Sequence, residues 1–164
     1  MSEKIIENPI GRIANILVDE KVTEADRRGI NLSLLTAFSN IYGGKLRVKA
    51  GSKEHPITLF SLLVGETSSG RKGEAVGIAM TVMAEIDPVW SVENVSSGLR
   101  TGPGLIEALI NNGKDIDGYG KLLAIEEEAA PMFKTSRQNE GILQELIRIA
   151  FDQRRLQTMT VFQR

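Results

Sequence analysis

Apolar residues return along this chain in two rhythms, one helical and one extended. Ile30, Leu34, Leu35, Phe38 and Ile41 recur every three or four positions, the period of one helix face, until Gly43-Gly44 stops the pattern. Upstream, Thr23 to Asp26 reads T-x-x-D, a capping-box-like start whose hydroxyl and carboxylate suit the free N–H groups and positive end of that helix. A second stripe, Ala75, Val76, Ile78, Ala79, Val82 and Met83, predicts a helix over Gly73 to Ile86. Further helices are expected over Leu105 to Ile110 and from Asn139 to Phe151.

The extended rhythm begins at Ile57. Ile57 to Val64 (ITLFSLLV) is almost continuously apolar, the pattern of a strand buried on both faces, and it stops at Gly65. Trp90 to Val95 reads as a short strand, and Leu122 to Ile125 as a second buried strand after the turn-rich NNGKDIDGYG. Leu156 to Phe162 alternates Thr158 and Thr160 with Met159 and Val161 and predicts a C-terminal strand. Strands alternating with helices imply an α/β fold with a mostly parallel sheet flanked by helices. No repeat or low-complexity linker interrupts the chain, so residues 1–164 are expected to form a single domain, with a helical lead-in over 1–50 and the core over 51–164.

Composition narrows the function. A chain of 164 residues that is 41% apolar and 25% charged has the make-up of an ordinary globular domain. Its 20 basic and 21 acidic side chains nearly cancel to −1, so a nucleic acid or anionic membrane would have to be met by a local patch. The absence of Cys excludes disulfides, thiolate metal sites and a cysteine nucleophile. His55 is the single histidine; it is expected exposed in a polar turn and leaves almost no scope for a zinc site or a Ser/His/Asp triad. Aromatic residues are 5% of the chain, with Trp90 the sole indole, which disfavours a base-stacking platform. The start MSEKIIENPIGR lacks signal-peptide features and no apolar run reaches membrane-spanning length, so the expectation is a cytoplasmic protein.

Two segments carry candidate chemistry. In VGETSSGRKGEAVG, Gly65 and Gly70 have the G-x-x-x-x-G spacing of a phosphate loop, between an expected strand and an expected helix. Glycines there let backbone N–H groups converge on an anion, and the following helix adds its positive dipole end. Arg71 or Lys72 can supply the mobile cation for the outer phosphates. The common motif places Lys directly after the second Gly and then Ser or Thr; here Gly70 is followed by Arg71-Lys72-Gly73-Glu74, leaving Ser68 or Ser69 as substitute hydroxyls for magnesium. Further on, KLLAIEEEAA sets Glu126, Glu127 and Glu128 after an apolar strand, where a nucleotidase holds magnesium (Glu126) and polarises the attacking water (Glu127). Each segment alone also has a plainer reading: a glycine-rich strand-to-helix turn, and a solvated acidic helix start.

Taken in order, these stretches resemble a known family. The segment from Pro9 to Gln163 is similar to the P-loop ATPase domain of phage, plasmid and other mobile-element proteins, often joined to or encoded beside primase modules. The likeness rests on LFSLLVGETSSGRKG (Leu59 to Gly73), SSGLRTGPGLIEAL (Ser96 to Leu109), KLLAIEEEAAPMFK (Lys121 to Lys134) and R-x-x-x-x-I-L-x-x-L-I-R-x-A-F-D (Arg137 to Asp152). The resemblance implies a RecA-like core, binding of ATP and magnesium, and a part in DNA replication or primer synthesis as a DNA-translocating ring. DNA, a primase or replication protein and further copies of the chain are the implied partners. Under it, the phosphate loop is Gly65, Glu66, Thr67, Ser68, Ser69, Gly70, Arg71, Lys72 and Gly73, and the arginine before the lysine is itself a family feature. Glu74 departs from the family's Thr or Ser, and Pro103 in RTGPGLI replaces an acid. The family core continues past the position of Arg164, so the expectation is a C-terminally incomplete core with an open apolar edge that a partner or second copy covers.

Three functions follow as alternatives: a magnesium-dependent ATPase of mobile-element replication; a nucleotide-binding or assembly module, or a relic, without turnover, favoured by Glu74; and a small-molecule kinase, ranked last because no arginine-rich lid is present. Arg137 and Arg148 are candidate arginine fingers, and Arg154-Arg155 a candidate DNA contact, all with the plainer reading of solvated charges.

Overall fold

The computed structural model describes residues 8–43, 45–65, 71–99, 101–111, 121–128, 130 and 142–151, and the chain divides into two compact units at Val92/Glu93. The first unit is built on three helices, α1 (Pro9–Asp19), α2 (Arg27–Tyr42) and α3 (Lys72–Ile86), with α2 packed against both others. Its core comprises Ala14, Ile30, Leu34, Ala37, Ile41, Ala75, Ala79 and Met83; of the predicted stripes, Ile30, Leu34, Ile41, Ala75, Ala79 and Met83 are buried, while Leu35, Phe38, Val76, Ile78 and Val82 are half-buried. Small residues bring α2 and α3 together: a side chain at Gly29 would meet the Ala75 Cβ at 3.3 Å.

Helix α2 starts at Arg27, with Asp26 and not Thr23 as its cap. The Asp26 carboxylate accepts the Arg28 N–H at 2.7 Å, satisfying an orphan donor of the first turn. Thr23 instead turns its hydroxyl outward from this helix, accepting from the Ala25 N–H and donating to Glu74. Helix α1 was not expected from periodicity. Its start is an Asn8-Pro9 pair in which Asn8 Oδ1 accepts the Gly11 N–H at 2.7 Å and proline takes the first helical position.

Between α2 and α3 lies an antiparallel hairpin, β1 (Arg47–Ala50) with β2 (Lys53–Pro56), turning at Gly51, whose φ of 62° suits a two-residue hairpin turn. His55 is on β2 and exposed. The following segment, Ile57–Gly65, corrects the expectation of a doubly buried strand: it pairs with no neighbouring strand, and Phe60, Leu62 and Val64 are exposed. It is attached to α2 instead, where Ser39 Oγ accepts the Leu59 N–H and Thr36 donates to Ser61. A continuous apolar run makes a buried strand only where sheet neighbours cover both faces, and this unit provides none among its described residues.

Trp90 to Val95 is corrected too. Residues Pro88–Glu93 form a short helix, α4, capped by Asp87 Oδ1 on the Trp90 N–H, and only Val95–Ser96 are extended as β3. Trp90 is buried and donates its indole N–H to Asn40 Oδ1 at 2.8 Å, so the sole indole is an anchor in the core.

In the second unit β3 pairs in parallel with β4 (Leu123–Ala124), the centre of the expected Leu122–Ile125 strand. Helices α5 (Gly102–Asn111) and α6 (Ile142–Phe151) enclose Leu105, Leu143 and Leu146, with Leu99, Ile106, Leu109, Leu122 and Ile147 packed around them. Gly102 marks the close approach of α5 to α6: an added Cβ would lie 2.7 Å from Ile142 Cγ2 and 2.9 Å from Leu146 Cδ1. The TGPG turn thereby has a structural reading: Thr101 caps α5 by accepting the Gly104 N–H, and Pro103 stands in the first turn, where its missing N–H costs nothing. The expected C-terminal strand, Leu156–Phe162, lies outside the described residues. No helix among the described residues is long and apolar enough to cross a membrane.

Candidate phosphate-binding site

Two ends of the expected phosphate loop are described, Gly65 on one side and Arg71 to Gly73 on the other; Glu66, Thr67, Ser68, Ser69 and Gly70 lie outside the described residues. The ends are joined by Lys72. From the first residue of α3 its ammonium donates to the Gly65 carbonyl at 2.6 Å, so the loop is closed by the cation that the motif assigns to phosphate. Arg71, immediately before, takes a left-handed conformation (φ 40°, ψ 37°). That conformation is unfavourable for a residue with a Cβ and turns successive backbone N–H groups toward one side, the geometry of anion nests. Both cations thus stand at a helix start, the positive end of its dipole.

Sequence reasoning missed what faces them. The α1–α2 connection brings Thr23 and Glu24 to the start of α3. The Arg71 guanidinium is forked between two carboxylates, with Nη2 on Glu24 and Nη1 on Glu74 at 3.2 Å. The other oxygen of Glu74 accepts the Thr23 hydroxyl. These partners hold the Glu74 carboxyl below the usual glutamate range, the Thr23 hydrogen bond most strongly and Arg71 next. The residue standing where the family has a hydroxyl is therefore a charged carboxylate, engaged on both oxygens. No local spacing signals this arrangement, because Thr23 and Glu74 are far apart in sequence and Thr23 reads as a helix cap.

The acidic segment belongs to the second unit. Glu126 follows β4 and its Oε1 accepts the Leu99 N–H at 2.6 Å, fastening the end of one strand to the loop that leaves the other. Glu127 and Glu128 are exposed. Arg148 on α6 is engaged with Glu145 one turn earlier, at 2.5 Å and 3.2 Å; Arg137, Arg154 and Arg155 lie outside the described residues.

The chemistry of the residues fits phosphate: two adjacent cations, the left-handed Arg71 and Lys72, stand at a helix start. For magnesium the fit is thinner, since the described residues hold no group of three or more His, Cys, Asp or Glu side chains able to enclose a metal ion. Comparison with protein-family models, curated proteins and solved structures finds no match for this chain.

Proposed function

We propose that this chain is a nucleoside-triphosphate-binding domain that holds the phosphates of ATP at Gly65 to Gly73, and that it is an ATPase of mobile-element DNA replication on a RecA-like core. The observation carrying the first part is the closure of the loop by Lys72 on the Gly65 carbonyl beside a left-handed Arg71. The ammonium there rests on a carbonyl oxygen, an acceptor that a phosphate oxygen can replace with a stronger, charge-assisted one. The second part rests on the family resemblance of the four quoted stretches.

In this reading Lys72 binds the outer phosphates with the α3 dipole behind it, and the family resemblance alone assigns orientation of the attacking water to Glu127. Glu126 would hold magnesium, which supplies neutralisation of phosphate charge. A second reading, nucleotide binding without turnover, is favoured by Glu74, whose carboxylate at the family's hydroxyl position opposes phosphate and occupies Arg71.

Steady-state phosphate release, with and without DNA, separates the two. The ATPase reading expects magnesium-dependent release that Glu127→Gln lowers by about a hundredfold or more while ATP binding persists. Binding without release in the wild type, with release gained in Glu74→Thr, supports the second.

A further inference from the structure

The hairpin β1–β2 breaks the rules that stabilise small sheets. A two-stranded ribbon is marginal in water unless one face packs on a core. Here every residue from Arg47 to His55 is exposed, and only Pro56 is half-buried. On one face Arg47 and Lys49 stand two residues apart, a like-charge neighbour pair; on the other are Lys53 and His55. The one carboxylate of the hairpin, Glu54, lies opposite Lys49 on the Arg47–Lys49 face, and the Lys53–His55 face has none. An exposed ribbon with repelling cations gains nothing from burial, and local features that oppose folding are expected where function holds them.

We propose that this hairpin binds the phosphodiester backbone of nucleic acid, with Arg47, Lys49 and Lys53 as the contacting cations. It is the local patch that a chain of net charge −1 requires for such a partner. A two-stranded ribbon has the width to enter a nucleic-acid groove. Cations on both faces then meet phosphates on both sides of it, and the Gly51-Ser52 turn presents only a small serine side chain at the tip. The contacts are to the backbone and carry no sequence preference. This inference stands on the hairpin alone and is independent of the nucleotide-binding reading.

The test is fluorescence anisotropy of labelled duplex and single-stranded DNA with the full chain at several salt concentrations. Wild type, Arg47→Gln/Lys49→Gln/Lys53→Gln and a control, Arg12→Gln/Lys21→Gln, which removes exposed cations elsewhere, are compared with a matching Arg47→Gln/Lys49→Gln pair. All substitutions are at exposed positions, and melting curves verify folding. The expected result is salt-dependent binding by the wild type, weakened about tenfold or more in the triple variant, with the log–log salt slope smaller by about two to three. The control pair is expected to bind within about twofold of wild type. No DNA binding at low salt, full binding by the triple variant, or equal losses in the two pair variants overturns the proposal. So does binding of the wild type to phosphatidylserine vesicles with none to DNA, which assigns the patch to a membrane surface.

Discussion

Arg71 is the residue on which the first unit's charges converge. Its guanidinium joins Glu24, from the α1–α2 connection, to Glu74 in the first turn of α3, so an incoming phosphate competes with carboxylates for it. Replacing Glu24 by Gln is therefore expected to tighten ATP binding by about threefold, the scale of an exposed ion pair. In an Arg71→Ala background the same change should have no effect; an equal gain there would mean simple through-space repulsion. Asp26 is a separate case. Its carboxyl is held down to about 2 from 3.8, chiefly by its hydrogen bond to the Arg28 side chain. A lowered native value means that its contribution is present above the unfolded value and is lost as pH falls through roughly 4 toward 2. Asp26→Ala should cost about 1 kcal/mol at neutral pH. Asp26→Asn keeps the cap and should flatten that acid limb in thermal melts.

At the scale of elements, the helical stripes of α2, α3, α5 and α6 were legible because a stripe of apolar residues fixes which face is buried whatever it packs against. The boundaries were less so: Thr23 satisfies the cap pattern, yet Glu74 competes for its hydroxyl and Asp26 caps α2. Helix α4 is too short for a stripe, whereas α1 carries one in Ile10, Ile13, Ala14 and Leu17; both open on an Asx-Pro pair, Asn8-Pro9 and Asp87-Pro88, with the side chain accepting an N–H three residues on. That signal was present in the sequence. The Ile57–Val64 segment was not legible, since its state depends on sheet neighbours that no local pattern reports. Its exposed Phe60, Leu62 and Val64 predict concentration-dependent association, which Leu62→Lys/Val64→Lys should reduce in light-scattering measurements. Tight α5–α6 packing makes Gly102→Ala destabilising by about 1–3 kcal/mol, and pairing it with Ile142→Ala should recover part of the loss by clearing the nearest methyl.

Over the whole molecule, the two motifs that gave the sequence its functional reading fall in different compact units, the phosphate loop in residues 1–92 and the acidic strand end in 93–164. Each has acquired a local job in its own unit: Lys72 closes its loop on Gly65, and Glu126 secures Leu99. The residue types of the candidate site could be read from spacing, whereas the carboxylates that oppose them could not, because Glu24 reaches Arg71 through the packing of α2 on α3. The exposed basic hairpin is likewise hidden in a chain whose charges nearly cancel, because its cations meet only through strand pairing. In the proposed nucleotide-binding role, Lys72 and its loop hold phosphate. Its most direct test is titration of ATP into the folded full chain, with and without magnesium, beside Lys72→Ala. Saturable binding that falls by about tenfold or more in the variant is the predicted result; equal affinity in wild type and variant, or no binding by a wild type with intact helical melting, would contradict it.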